Sequence, residues 1–263
     1  FSVHKSVEEG PRIQQWRKGN KLRLMAKDKH LQPLTRAAMR VMPESVKKVA
    51  HTANIGMWLY VQIALAWADV PYSCRMMMGF RIVEEIESPS IFRPAEPNFN
   101  AISKAQLLST SVEYIDKITR EAKDSKNREA DEEMLRLTEK DQSLQFASEF
   151  KTKEDLNKIF GKGNWKPLRR FPTFQSHNQS WRAIDDGHDS GHNEASFARV
   201  RVHTAGVDFM IAVARRLWSN RDRLYRMAIA YGVNLQMVGG VCDESKAYRW
   251  KPVAEEDLNV SVV

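Results

Sequence analysis

The run Ile55 to Trp67, IGMWLYVQIALAW, extends over 13 residues without a single charge, and only Gln62 interrupts it with an amide. A helix that crosses a bilayer needs roughly 20 apolar residues. The run is therefore too short to span, and no transmembrane segment is expected elsewhere. A short, uncharged, apolar segment predicts a helix buried in a protein core. Around it, Leu34 to Val70 carries apolar residues at helical spacing, broken by Pro43 and closed at Pro71, which predicts two or three helices. At 263 residues and 42% hydrophobic content, the chain is long enough to enclose one large core or two modest ones.

Further along, residues 88–100 (SPSIFRPAEPNFN) hold three prolines and read as an extended connector. Ser103 to about Gln145 is charge-rich with an apolar stripe, predicting two amphipathic helices. A short helix is expected over Lys153 to Phe160, capped by Thr152 and stopped by Gly161. Residues 165–186 place two aromatic and basic clusters on either side of His177-Asn178, the pattern of a two-stranded ribbon. Residues 206–231 predict one long helix ending at Gly232, followed by a strand that runs into Asp243. The Met76-Met77-Met78 cluster reads as pliable core filling. Cys74 and Cys242 are too far apart in sequence, and too few, to indicate a disulfide framework or a zinc site.

The net charge of +8 is unevenly placed. Residues 1–50 hold 12 Lys and Arg against 4 Asp and Glu, and the remaining residues hold 29 of each. Arg12, Trp16, Arg17, Lys18, Lys21, Arg23, Lys27 and Lys29 make a basic arm over residues 1–33, with an aromatic interleaved. Such a segment suits a phosphate backbone, because each bound cation releases counterions and an aromatic can stack on a base. A solvated tail, or one resting on an acidic protein or anionic membrane, has the same composition. Residues 158–226 are again basic, 13 to 6, and add Arg169 and Arg170 as candidate nucleic-acid contacts.

Two clusters invite a chemical reading. Asp243 follows a Gly-punctuated apolar run, and Tyr248 lies five residues beyond it; a lone carboxylate at a strand end suits a hard cation such as Mg²⁺. In WRAIDDGHDSGHN, residues 181–193, the spacing of His188 and His192 would allow a shared metal on a helix, but Gly187, Ser190 and Gly191 oppose helix. A polar turn held by Asx-type bonds is the expectation there.

These segments together, RRFPTFQ, WRAIDDGHDSGHN, HTAGVDFMIAVARRL and GGVCDESKAYRWKPVAEEDLNVSVV, resemble the reverse transcriptase family, in particular the divergent retroelement sequences of dinoflagellate algae. The resemblance covers residues 130–263 and, more loosely, 40–128. Leaving the basic arm 1–33 uncovered, it implies an α+β, predominantly helical fold, with a helical region 34–128 and fingers with a partial palm over 129–263. It also implies that Asp243 matches the first metal-binding aspartate of the palm and Tyr248 the aromatic that gates the sugar. Arg182 would match the fingers arginine that grips the incoming triphosphate, with Asp186 bracing the ribbon.

The departures from that pattern are chemical. No aromatic-x-Asp-Asp tetrapeptide follows, Glu244 stands beside the aspartate, and no lysine precedes Trp181 on the ribbon. One carboxylate cannot hold two divalent ions against their repulsion. The expectation is a chain without polymerase activity and without a cofactor, Mg²⁺ being needed only if the gene continues past Val263. Its expected role is an RNA-binding or scaffolding subunit of a larger ribonucleoprotein, such as an organellar ribosome in a mitochondrion or plastid, although a nuclear one fits too. An ordered fragment of an active RNA-directed DNA polymerase, or a structural subunit of a respiratory or photosynthetic complex, are the alternatives. Unpaired palm edges would need RNA or other protein subunits to cover them, so a free monomer is not expected.

Overall fold

The structure is a computed structural model, and it describes residues 11–67, 69, 71–86, 93–96, 100–122, 126–177, 179–201, 207–230, 232 and 251–263, with side chains from residue 18 of the first helix and residue 210 of the tenth. It is about 58% helical with small sheets, the expected α+β, mainly helical class. The chain divides into two compact units, residues 1–35 with 202–245, and residues 36–201 with 246–263.

Helix α1 (Pro11–Val41) crosses the boundary between them and contains Pro33 in its interior. Its final turns begin a stripe at four-residue spacing, Ala38, Met42, Val46 and Ala50, which continues through α2 (Glu44–Ala50) although Pro43 interrupts the helix. Pro43 lacks the N–H to continue α1, yet its fixed φ starts α2 well, so the apolar face survives the break. The stripe packs with Ile55 of α3 (Ile55–Ala64) and Met76 of α4 (Tyr72–Met78). Asn54 caps α3 by accepting from the Met57 N–H at 3.1 Å.

The sequence expectation for the apolar run needs correction at α3. Ile55, Gly56 and Gln62 are its buried residues, whereas Trp58, Ile63, Leu65 and Trp67 are exposed. One of the buried positions is polar: the Gln62 amide donates to the Asp69 carbonyl at 2.6 Å and accepts from Ser73 Oγ. Met76 is buried and Met77 packs against the core, but Met78 is exposed.

The region 103–145 forms three helices rather than two: α5 (Lys104–Ser109), α6 (Ser111–Glu121) and α7 (Arg128–Ser143). Ser103 and Gln106 make a reciprocal capping box that starts α5. It stops where Ser109 and Thr110 turn their hydroxyls back onto the carbonyls of Gln106 and Leu107. Helix α8 (Lys153–Phe160) has the predicted bounds, a capping box from Thr152 and Asp155, and Gly161 at φ +89° as its stop.

All three sheets among the described residues are two-stranded. β1 (Glu84–Glu85) runs parallel to β5 (Ser196–Phe197), which follows the short α9 (His192–Ala195). β2 (Arg93–Pro94) pairs with β6 (Val200–Arg201), and β3 (Arg169–Gln175) pairs antiparallel with β4 (Ser180–Asp186). In the smaller unit, the predicted single helix is two, α10 (Val207–Ser219) and α11 (Arg221–Ala230). Asn220 breaks it, its amide donating to the Arg216 carbonyl at 2.8 Å and ending the first helix. The predicted strand into Asp243 lies outside the described residues.

The C-terminal segment is woven into the larger unit. Phe80 and Val253 bridge in parallel, with Phe80 N–H donating to the Pro252 carbonyl at 2.7 Å and Ala254 N–H to the Phe80 carbonyl at 3.0 Å. A 3₁₀ turn, Glu255–Val260, follows, and Leu168 N–H donates to the Val262 carbonyl at 2.7 Å. A second core, Val83, Leu107, Ala195 and Val260, closes over this segment.

Candidate nucleic-acid interface

The β3–β4 ribbon sorts its side chains by alternation. One face carries Arg170, Pro172 and Phe174 opposite Asp185, Ala183 and Trp181. Near its base this face meets α7. The Arg170 guanidinium there donates to both Asp185 oxygens, at 2.6 and 3.0 Å, and to Thr138 Oγ1 at 3.2 Å, and lies 3.8 Å from Asp141. Phe174 and Trp181 stack edge-on with centroids 5.0 Å apart. Arg170 is thus a strut between ribbon and helix, its fork filled by carboxylate, and a phosphate would have to displace Asp185 to reach it.

The other face carries Arg169, Phe171 and Thr173 opposite Asp186, Ile184 and Arg182. Phe171 and Ile184 face each other across the strands and are both exposed, 37% and 38%. Arg169 and Arg182 are exposed on either side of them. Among the described residues no ion pair reaches Arg182. An exposed aromatic flanked by two arginines at the ~7 Å spacing of alternate strand positions is the arrangement that stacks a base and holds the neighbouring phosphates.

The Asp186 carboxylate is engaged in the turn that follows the ribbon. Its Oδ1 accepts from the backbone N–H groups of His188 at 2.9 Å and Asp189 at 3.3 Å, the Asx turn expected from this stretch. Asp189 is held from the far side by Lys117 Nζ at 2.9 Å and the Tyr114 hydroxyl at 3.3 Å. The Lys117 hydrogen bond keeps the Asp189 carboxyl below its usual range, and burial, helped by Asp189, pushes the Tyr114 hydroxyl up to about 12. A Cβ at Gly187 would stand 2.5 Å from Asn193 Oδ1, so any side chain there would oblige the Asn193 amide to shift. His188 and His192 do not converge: His188 is exposed, and His192 is buried against Ser190 and the Val260 carbonyl. No cluster of three metal-ligating side chains occurs among the described residues.

The basic arm is helical. Lys18, Lys21, Arg23, Lys27 and Lys29 are all exposed on α1. At ~100° per residue, Lys18, Lys21 and Lys29 fall on one side of the axis and Arg23 and Lys27 on the other. The 31-residue helix is about 46 Å long at 1.5 Å per residue, with no acid in its first turn. Charges spread around such a rod suit a flexible polyanion that wraps it better than a ligand that reads one face. Arg12, Trp16 and Arg17 belong to this helix, but their side chains lie outside the described residues, as do Asp243 and Tyr248 altogether.

A charge cluster that sequence reasoning missed organises the larger unit. The fully buried Asp257 accepts from Arg81 Nε at 2.9 Å, Lys104 Nζ at 3.1 Å and the N–H of Ile82 at 2.9 Å. Burial would raise its pKa and is the largest influence, but Arg81, the Ile82 amide and Lys104 together outweigh it, and the carboxyl lies below its usual range. Asp257 sits in the acidic run EED near the C-terminus, and nothing in that spelling separates it from its exposed neighbours. Lys166 is likewise buried without a carboxylate, donating to the Leu107 carbonyl at 3.1 Å and Thr110 Oγ1 at 2.6 Å at the end of α5, and burial lowers its pKa. Comparison with known protein families, curated proteins and solved structures finds no match for this chain.

Proposed function

We propose that this chain is a non-catalytic, reverse-transcriptase-derived RNA-binding subunit that scaffolds a larger ribonucleoprotein, for instance an organellar ribosome. The observation that carries the reading is the exposure of the α1 cations, which hold the positive surplus of the whole chain on one long helix. The outer face of the ribbon supports it with an aromatic between two arginines. On this reading Asp243 and Tyr248 perform no chemistry here, and the purified chain makes no DNA from an RNA template in Mg²⁺.

The test is RNA affinity as a function of salt, using the full chain and a variant with Lys18, Lys21, Arg23 and Lys29 changed to Gln. Truncation at residue 33 would cut α1 within its length, whereas Gln keeps it helical. Each lost phosphate contact on single-stranded RNA lowers the slope of log K against log salt by about 0.7, so four lower it by about 3. An unchanged slope overturns the reading.

A further inference from the structure

We infer that helix α3 lies in the surface of an anionic bilayer, with Trp58, Ile63, Leu65 and Trp67 inserted among the lipid headgroups. This goes beyond the RNA-binding reading and rests on a different part of the chain. Ile63 is 79% exposed, Leu65 66%, Trp67 53% and Trp58 43%, while the one amide of the segment, Gln62, is buried against Asp69 and Ser73. Ile55 turns into the core beside that amide, yet four large apolar side chains on the helix and the turn after it stay outward, an exposure that water opposes.

The charges around it choose the occupant. No residue from Ala53 to Ala68 is charged. The acid that follows, Asp69, is neutralised by Arg75 at 3.1 Å. Among the described residues a cation stands at its edge: Lys251 Nζ donates to the Tyr72 hydroxyl and lies 5.1 Å from that ring's centroid, and the ring meets Trp58 at 5.3 Å. A lysine beside an uncharged face, with tryptophans on the same segment, complements anionic headgroups above and acyl chains below. At ten residues the helix is about 15 Å long, half the hydrocarbon thickness, so it lies along the surface instead of crossing it.

The experiment is co-sedimentation of nuclease-treated full chain with phosphatidylcholine vesicles, with and without about 30% phosphatidylserine. We expect binding to the anionic vesicles, part of it surviving 0.5 M NaCl. The variant Ile63→Ser, Leu65→Ser is expected to lose that salt-resistant part, about tenfold or more in partitioning. Its melting curve should match the parent's, because both side chains are exposed. Brominated lipid should also quench the parent's tryptophan emission, and less so when Trp58 and Trp67 are both Phe, which preserves bulk if serine unfolds the helix. Absence of binding to either vesicle, equal binding by the serine variant, or a parent that ignores vesicles while its α3 face retains another protein would each overturn the inference. A loss confined to the α1 charge variant would instead implicate the basic helix alone and overturn it too.

Discussion

The Nε2 nitrogen of His192 lies 2.9 Å from the carbonyl oxygen of Val260, so the turn after the ribbon and the C-terminal segment meet at one imidazole. A carbonyl only accepts, which places the proton on Nε2. Nδ1 then takes the Ser190 hydroxyl proton at 2.7 Å, and that hydroxyl cannot at the same time donate to the Asp186 carbonyl 3.0 Å away. Burial pushes the His192 pKa down to about 4, against the opposing pull of the Val260 carbonyl and with a smaller contribution from Lys166.

The pH dependence follows from that sign. The folded pKa lies below the unfolded value near 6.5, so as pH falls the unfolded chain takes the proton first. Stability from this site is complete above about pH 6.5 and is lost progressively toward pH 4, by about 3 kcal/mol. Urea unfolding at pH 7, 5.5 and 4.5 should show a smaller loss for His192→Gln than for the parent, the difference separating this group from the titrating carboxylates. Parallel pH profiles would place the charge-sensitive group elsewhere.

Asp257 ties the Arg81–Val83 stretch, Lys104 and the C-terminus to a single side chain. Replacing it with Asn keeps the shape but leaves two cations facing a neutral amide, and should cost about 3 kcal/mol in thermal or urea unfolding. Because its folded pKa is depressed, its contribution is full above the ordinary carboxyl range and fades as pH falls below it. Lys104→Met should cost less, since Arg81 and the backbone donor at Ile82 remain.

Gly79 has φ +92°, and a Cβ there would stand 2.4 Å from both the Cα and the N of Ala254. Gly79→Ala should therefore destabilise by at least about 1–3 kcal/mol from backbone strain alone. The opening should be local first: amide exchange at Phe80 and Ala254, which bond across the bridge, should accelerate before the rest of the unit.

Two arginines on one ribbon separate structure from binding. Arg170→Gln removes the cation that Asp185 pairs with and should cost about 1–3 kcal/mol of stability. Arg182→Gln should alter stability by less than about 0.5 kcal/mol. It should lower the RNA salt slope by about 0.7 if the outer face contacts phosphate. An RNA slope that responds to neither Arg182 nor Phe171→Ala would remove the ribbon from the interface and leave α1 by itself.

Where the code is local, the amino-acid sequence determined the outcome. The bounds of α8 follow from Thr152, Asp155 and Gly161; the break at Pro43 follows from a missing N–H; the ribbon and the Asx turn follow from alternation and from a carboxylate that bonds its own backbone. Each is set by groups within a few residues of one another. Tertiary structure alone decided the rest. The division of 103–145 at Thr110 and of 207–230 at Asn220 depended on which side chains turned back onto the helix. Apolar composition made α3 avoid water but could not say which neighbour would cover it, and the inward place went to Gln62 because Asp69 and Ser73 were there to satisfy its amide. Asp257 became the buried acid of its run because Arg81 and Lys104, more than 150 positions away, meet it in space. A charge can leave water only where partners replace the water, and that replacement is a property of the folded chain, not of its spelling.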